Sequence, residues 1–491
     1  MDNNSGITLL GLGPGDASLL TREAWDVLEK AREIYLRTDH HPVVPGFPAG
    51  LQVHSFDDLY EKGDTFELVY QAIVERVLDL GRRPQGVVYA VPGHPYIAEA
   101  TSPEIARRAK AQGIPLRIVD GLSFLGPTFA ALEVDPFPHT ALVDGLELAA
   151  AHAPNFPPDA PALIAQLHSR SVVSEVKLTL MEVYPDEHPV KLVHAAGTPE
   201  VRVEALSLYE IDRSKSTGLL TTLYVPPLGQ GTSLESFQEV IAALRAPDGC
   251  PWDREQTHRT LRPNLLEETY EVLSALDAND PAGLSEEMGD LLLQIVLHAQ
   301  IASEAGEFNM AEVVRGIHAK IVRRHPHVFG DVKLRDAEGV LQNWERLKAA
   351  ERQANGKLEA GLLDSVALAL PSLVQAQTYQ QRAGRVGFDW RDIQGVLDKV
   401  DEEMAEVRAA ADEPARAAEI GDLLFSVVNL ARWYHVDAES ALREANARFR
   451  QRFGFIEEAA RKEGRNLQDM TLEEMDAYWD SAKKSGENPS S

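Results

Sequence analysis

A chain of 491 residues with a formal net charge of −28 exceeds the size of one ordinary domain and predicts two to four. Acids outnumber bases in both halves, 30 to 18 over residues 1–228 and 46 to 30 over residues 229–491, which excludes nucleic acid as the main partner, since that binding rests on Lys and Arg neutralising phosphates. No run reaches the roughly 18 to 20 apolar residues of a membrane span, the N-terminus lacks the basic stretch of a signal peptide, and the single Cys250 precludes an internal disulfide framework and fits a reducing cytoplasm.

Residues 1–228 alternate strand-like and helix-like segments. Ile7 to Leu10 leads into the loop Gly11-Leu-Gly-Pro-Gly-Asp16 and a helical stretch from about Leu19 to Arg32. Gly86 to Val91 leads into Pro92-Gly-His-Pro95 and a helix running through Glu104 to Lys110. Leu116 to Val119 leads into Asp120-Gly-Leu-Ser123. Three strands that each end in a Gly or Pro loop before a helix predict a parallel α/β sheet with a site at the strand C-termini. The first loop is not a dinucleotide fingerprint, because Asp16 stands where the third glycine would be and Pro14 lacks an N–H donor.

Taken together, GLGPGDASLLT, the PGHP loop and the DGLSF turn resemble the tetrapyrrole methylase family. The resemblance implies two α/β subdomains that bind S-adenosylmethionine between them, with Gly11, Gly13, Pro14, Gly15, Pro92, Gly93, His94, Pro95 and Ser123 as the cofactor-binding residues. The second subdomain is expected from near Pro161, with Lys177 to Val183 and Leu219 to Val225 as strands. One departure is informative. Many members carry Gly-Asp-Pro in the second loop, and here it is Gly93-His94-Pro95, which separates cofactor binding from methyl transfer.

Pro226 to Ser233 is rich in Pro, Gly and Ser, and beyond it the pattern turns to helix after helix. The stretch Leu265 to Gln300 predicts two antiparallel helices joined by the turn Asp277 to Gly283. Glu267, Glu268 and Glu271 share one face of the first helix. Glu287 and Asp290 lie on the second, beside an apolar stripe of Leu284, Met288, Leu291, Leu292, Ile295 and Val296 expected to be buried. Carboxylates crowded in this way raise one another's pKa and suit a hard divalent cation. The pattern recurs: Glu402, Glu403 and Glu406 at an offset of 135, Glu419 and Asp422 at 132, and Trp479 to Lys483 answering Trp344 to Lys348.

An EExxE on a helix is usually a solvated face; followed by ExxD, and present twice, it is a specific constellation. With CPWDREQTH at 250–258 and RRHPHVFGD at 323–331, it resembles the MazG family of nucleoside triphosphate pyrophosphohydrolases. That resemblance implies Mg2+ ligation, with Mn2+ as an alternative ion, by Glu268, Glu271, Glu287 and Asp290 in one copy and Glu403, Glu406, Glu419 and Asp422 in the other. Glu267 and Glu402 are expected to be auxiliary. Cations must offset the triphosphate, and the candidates are Lys320, Arg324 and Lys348, then Arg448, Arg452 and Lys483. Trp344 and Trp479 are candidates to stack on a base, against the commoner role of core tryptophan.

No GxxxxGK[ST] loop, HExxH or GxSxG is present, and a di-iron bundle would need Glu-x-x-His where this chain has Asp290 and Asp422. The expected architecture is multidomain: an N-terminal α/β tetrapyrrole-methylase-like domain of two subdomains (1–228), a linker (229–236), and all-α tandem MazG-like helical bundle units at 237–350 and 363–485. These two are joined by a linker at 351–362 and followed by a disordered tail at 486–491. The expected reaction is hydrolysis of nucleoside triphosphates to monophosphate and pyrophosphate, as nucleotide-pool housecleaning by a homodimer or higher homo-oligomer. The alternatives are methyl transfer from S-adenosylmethionine by the N-terminal domain, or that domain as a ligand-sensing or assembly module.

Overall fold

The computed structural model describes residues 6–62, 65–333, 336, 339–340, 343–344, 346–347, 351, 361–364 and 366–486. Lys348, most of the linker 351–362 and all but the first residue of the tail 486–491 lie outside the described residues. The chain divides into two compact units, 1–255 and 256–491.

The first unit opens with a five-stranded sheet in the order β3-β2-β4-β1-β5, every pairing parallel. Its strands are β1 (Ile7–Gly11), β2 (Glu33–Leu36), β3 (Gln52–Ser55), β4 (Val87–Val91) and β5 (Leu116–Val119). The helices α1 (Arg22–Lys30), α2 (Asp57–Lys62), α3 (Phe66–Gly81), α4 (Thr101–Ala111) and α5 (Leu125–Leu132) connect and cover it. The central strands are apolar on both faces, as a sheet covered on both sides requires. Ile7, Leu9 and Tyr89 pack with Ile73, Val77 and Ile105, while Leu10 and Ala90 pack with Ala24, Leu28 and Leu36. Because β4, β1 and β5 are neighbours, the three Gly and Pro loops emerge side by side at one edge.

Beside this edge lies a buried polar knot. Arg37 pairs with Glu99, whose side chain is 1% exposed, and donates to the hydroxyls of Tyr60 and Tyr70, both at 3.0 Å. Glu99 also accepts from the backbone N–H of Thr101 at 2.8 Å. A buried ion pair survives only when further hydrogen bonds satisfy both ions, and these partners do so.

The second sheet is mixed, in the order β6-β7-β10-β8-β9. It comprises β6 (Ala141–Asp144), β7 (Ala162–Ala165), β8 (Pro189–His194), β9 (Arg202–Ser207) and β10 (Thr221–Val225), with α6 (Gly145–Ala150) and α7 (Arg170–Met181) against it. Two expectations are corrected here. The second sheet begins at Ala141, not near Pro161, and most of Lys177 to Val183 belongs to α7 instead of forming a strand. The apolar residues that matter there, Val173, Val176 and Leu180, recur at helical spacing and enter the core.

The segment 229–236 lies within the first unit. Ser233 caps α8 (Leu234–Arg245) by accepting from the Ser236 N–H at 3.1 Å, and its hydroxyl donates to Asp159 at 2.6 Å, tying the helix to the second subdomain. A short α9 (Pro251–Glu255) ends the unit.

Among the described residues, the second unit has only helices as its regular elements. It contains α10 (Arg262–Asp277), α11 (Pro281–Glu304), α12 (Met310–Arg324) and α13 (Pro326–Phe329), then α14 (Ser372–Arg385), α15 (Ile393–Ala409), α16 (Glu413–Trp433), α17 (Ala438–Lys462) and α18 (Leu472–Gly486). α10 and α11 form a hairpin turned at Asn279, whose φ of +50° suits asparagine, and Pro281 occupies the first turn of α11. α15 and α16 form a second hairpin, with Asp392 and Asp412 capping the two helices. Arg443 of α17 bonds Asp277 at the end of α10 at 2.9 Å. The expectation for the apolar stripe on α11 fails in part: Val296 is buried, Leu284 and Leu291 are half-buried, and Met288, Leu292 and Ile295 are exposed.

Candidate metal centres and a glycine-loop site

On each hairpin the first helix supplies two glutamates a turn apart and the second helix one. Glu268, Glu271 and Glu287 each place a carboxylate oxygen within 4.8 Å of the others, and so do Glu403, Glu406 and Glu419. Three of the four expected ligands therefore meet in each copy. Neither aspartate belongs to its three-glutamate group, but Asp290 sits close enough for its charge to act on Glu268 and Glu287. Glu267 and Glu402 are exposed at the flank.

The electrostatics follow from this crowding. Partial burial, and then the charges of Asp290 and Glu271, raise the Glu268 pKa; burial and then Glu271 raise that of Glu287. Glu406 is raised by burial and by Glu403 and Glu419. In each group the fold thus holds three carboxylates together, and in the second Lys399 offsets part of the charge.

The expected nucleotide-binding residues fall into different surroundings. Arg324 is held by Glu351, with Nη2 at 2.6 Å, and Arg323 shares the same carboxylate; together they hold the Glu351 pKa down at about 2. Trp344 lies 6.4 Å from the His325 ring, centroid to centroid. Lys320 is exposed on α12. In the other copy the Arg452 guanidinium stands 5.6 Å above the Trp479 ring, and Phe449 is 5.3 Å from that ring. Arg448 pairs loosely with Glu444 at 3.4 Å and Lys483 with Asp480 at 3.8 Å.

Sequence reasoning missed Lys399, which contacts Glu402 and Glu403; its position one helical turn before Glu403 was the available signal. It also missed Glu351, and the stacked pair His258 and His298, whose Nδ1 atoms are 2.7 Å apart.

In the first unit the glycine loops lock together backbone to backbone. Gly13 and Gly93 exchange N–H to C=O bonds of 3.2 and 2.8 Å. A Cβ on Gly121 would lie 2.3 Å from the Gly93 oxygen, and one on Gly11 would lie 2.5 Å from the Gly121 nitrogen. Gly13 and Gly93 have φ of +73° and +69°, values glycine adopts without strain. The Asp16 N–H donates to the Gly197 carbonyl at 3.0 Å, and Gly15 abuts Thr198, so the loop touches both subdomains. His94, where the usual motif has Asp, accepts from the Tyr96 N–H through Nδ1 at 3.0 Å and places Nε2 3.4 Å from Asp120. Ser123 accepts from the Leu125 N–H at 3.3 Å. A cleft of about 440 Å3 lies on the subdomain boundary, lined by Asp16, Leu19, Ala130, Gly197, Thr198 and Val201. None of the nine expected cofactor residues lines it; they form the adjoining loops instead.

Comparison with known proteins agrees with this division. Residues 6–212 match the model of the Tetrapyrrole (Corrin/Porphyrin) Methylases, and residues 256–329 match that of the MazG nucleotide pyrophosphohydrolase domain. YabN of Bacillus subtilis is 42% identical over 487 residues, covering 97% of this chain and 98% of that protein. The nucleoside triphosphate pyrophosphohydrolase/pyrophosphatase MazG of Thermotoga maritima is 43% identical over 254 residues, 52% of this chain and 96% of its own length. The Thermus thermophilus uroporphyrin-III-C-methyltransferase structure aligns over 45% of this chain and 95% of its own, with 22% identity and a TM-score of 0.36. The first unit is accordingly an α/β domain of the tetrapyrrole methylase type fused to a helical unit with acidic hairpins. The chain belongs to the MazG nucleotide pyrophosphohydrolase family, in the fused form that YabN shares.

Proposed function

We propose that this chain hydrolyses nucleoside triphosphates to the monophosphate and pyrophosphate at its acidic hairpins, in a Mg2+-dependent reaction that clears nucleotides from the cytoplasmic pool. The observation that carries the proposal is the meeting, on each hairpin, of three glutamate oxygens within 4.8 Å. The donor set fits the ion: all ligands are oxygens, as Mg2+ requires, and in the second group the Glu403 Oε2 is buried with no hydrogen-bond partner. Glu268, Glu271 and Glu287, joined by Asp290, would hold the ion in one copy, and Glu403, Glu406 and Glu419, joined by Asp422, in the other. Bound there, Mg2+ supplies charge neutralisation of the phosphates and acidification of water.

The remaining roles belong to side chains. Glu267 and Glu402, exposed at the flank, are assigned the auxiliary role of orienting water toward the α-phosphorus. Lys320, Arg448 and Lys483 are exposed cations that can meet phosphate oxygens, a role also expected of Arg324 and Lys348. The pair Arg452 and Trp479 offers a stacked platform for a base, with Trp344 in the corresponding place. The exposed Met288, Leu292 and Ile295 on α11, and Val313, Val314 and Ile317 on α12, support a second copy of the chain as their cover.

Nucleoside triphosphates incubated with Mg2+ and the full chain are expected to yield monophosphate and pyrophosphate; diphosphate and orthophosphate would refute the reading. Full activity in the double variant Glu268→Gln with Glu403→Gln would refute the metal assignment. A second reading is favoured by the locked glycine loops, namely S-adenosylmethionine binding in the first unit, with or without methyl transfer. Calorimetric titration of the full chain with that cofactor tests it, and no heat of binding would refute it.

A further inference from the structure

The two acidic groups differ at one position. Lys399, one turn before Glu403 on α15, places its Nζ 2.8 Å from a Glu403 oxygen and 3.0 Å from a Glu402 oxygen. The residue one turn before Glu268 on α10 is Asn264, which carries no charge. A lysine four residues before a glutamate is commonly a surface pair of little consequence. Two observations set this one apart. Glu403 is only 5% exposed, and its second oxygen is buried without a hydrogen-bond partner, so the ammonium satisfies half of a carboxylate that the fold has removed from water. Both of its partners, moreover, belong to the acidic constellation, and among the described residues no lysine or arginine pairs with Glu268 or Glu271 in the first copy.

We propose that Lys399 is a resident counter-ion of the second group, displaced when a divalent cation enters and then free to pair with the triphosphate. The inference rests on the metal reading above. Two like-charged ions cannot share Glu403 at close range without repulsion, so an entering ion must move the ammonium off. The first group binds the free ion directly. The second binds it weakly alone and loads well with the metal–triphosphate complex, because the polyanion compensates the displaced ammonium. The duplicated sites thereby respond to different species, one to free metal and one to metal-bound nucleotide.

The test uses the full chain and Mn2+ as the probe, with free Mn2+ read by electron paramagnetic resonance. In the background Glu268→Gln with Glu271→Gln, only the second group remains. Adding Lys399→Met there is expected to tighten Mn2+ binding about tenfold, equivalent to about 1.4 kcal/mol; unchanged or weaker binding overturns the inference. The reciprocal variant guards against a folding defect. In the background Glu403→Gln with Glu406→Gln, Asn264→Lys is expected to weaken Mn2+ binding about tenfold, and no change overturns the inference. An α,β-methylene triphosphate analogue is expected to tighten Mn2+ binding at the second group only when Lys399 is present; equal tightening in Lys399→Met overturns the exchange. If the unaltered chain binds no Mn2+ at all, the metal reading itself falls. Binding that is indifferent to residue 399 leaves that reading intact and removes this one alone.

Discussion

Replacing Glu268 by Gln is expected to have effects of opposite sign in the absence and presence of metal. Without metal, Glu268 is one of three carboxylates with oxygens inside 4.8 Å of one another, and burial and its neighbours raise its pKa. Two unit charges at that distance, screened as in water, repel by about 1 kcal/mol. The group is half-exposed, so the water value applies, and salt reduces it further. Glu268→Gln therefore stabilises the metal-free hairpin by up to about 1 kcal/mol, slowing amide exchange in α10 and α11 roughly fivefold where exchange follows local opening. With Mg2+ at a hundred times its dissociation constant, binding stabilises the intact site by about 2.7 kcal/mol, and the variant loses most of that. Hydrogen exchange of the full chain in chelator and in excess Mg2+ measures both. Faster exchange of the variant in chelator would refute the repulsion argument. Equal protection by Mg2+ in variant and parent would refute the metal argument.

The pH dependence follows from the same crowding. The folded-state pKa values of Glu268, Glu287 and Glu406 lie above their unfolded values. Their contribution to stability is thus fully present below the unfolded carboxylate value of about 4.3 and is lost as pH rises through the raised folded values; calorimetry in chelator should show the advantage of the Gln variants growing with pH, and Mg2+ should abolish the trend. In the first unit, Glu99→Gln leaves the partly buried Arg37 without its charge partner and should cost about 3 kcal/mol, the lower end for buried pairs, read as lost protection of the β2 and β4 amides. Gly121→Ala forces a Cβ to 2.3 Å from the Gly93 oxygen, with backbone on both sides, and should cost about 1 to 3 kcal/mol and abolish S-adenosylmethionine binding by calorimetry. Gly93→Ala meets nothing within 4 Å and should cost only the strain of its positive φ, about 1 to 2 kcal/mol.

The alternation of strand and loop placed three parallel strands correctly because each carries its own stop signal, a Gly or Pro loop, within a few residues. The glutamates were equally legible, since helical spacing alone puts Glu268 and Glu271 on one face. What the linear pattern misjudged depended on tertiary surroundings. Leu178 and Leu180 alternate like a strand, yet Val173, Val176 and Leu180 set the helical register of α7 by facing the sheet. Met288, Leu292 and Ile295 look like core in any helical projection, but one copy of the chain leaves them exposed. Arg324 has the spacing of a phosphate ligand, but its partner Glu351 lies 27 residues away in sequence and meets it only in the folded unit.

The interlock of Gly11, Gly93 and Gly121 bears on how motifs record ancestry. Gly11 and Gly121 are needed there because a neighbouring peptide occupies the space of each missing side chain, and Gly93 because its φ is +69°, a demand of assembly that precedes any ligand. A descendant that had given up methyl transfer would retain the same signature merely to fold. The glycines thus testify to the scaffold's lineage, and evidence for a surviving reaction has to be sought at a side chain of the same loops that the interlock does not dictate, such as His94.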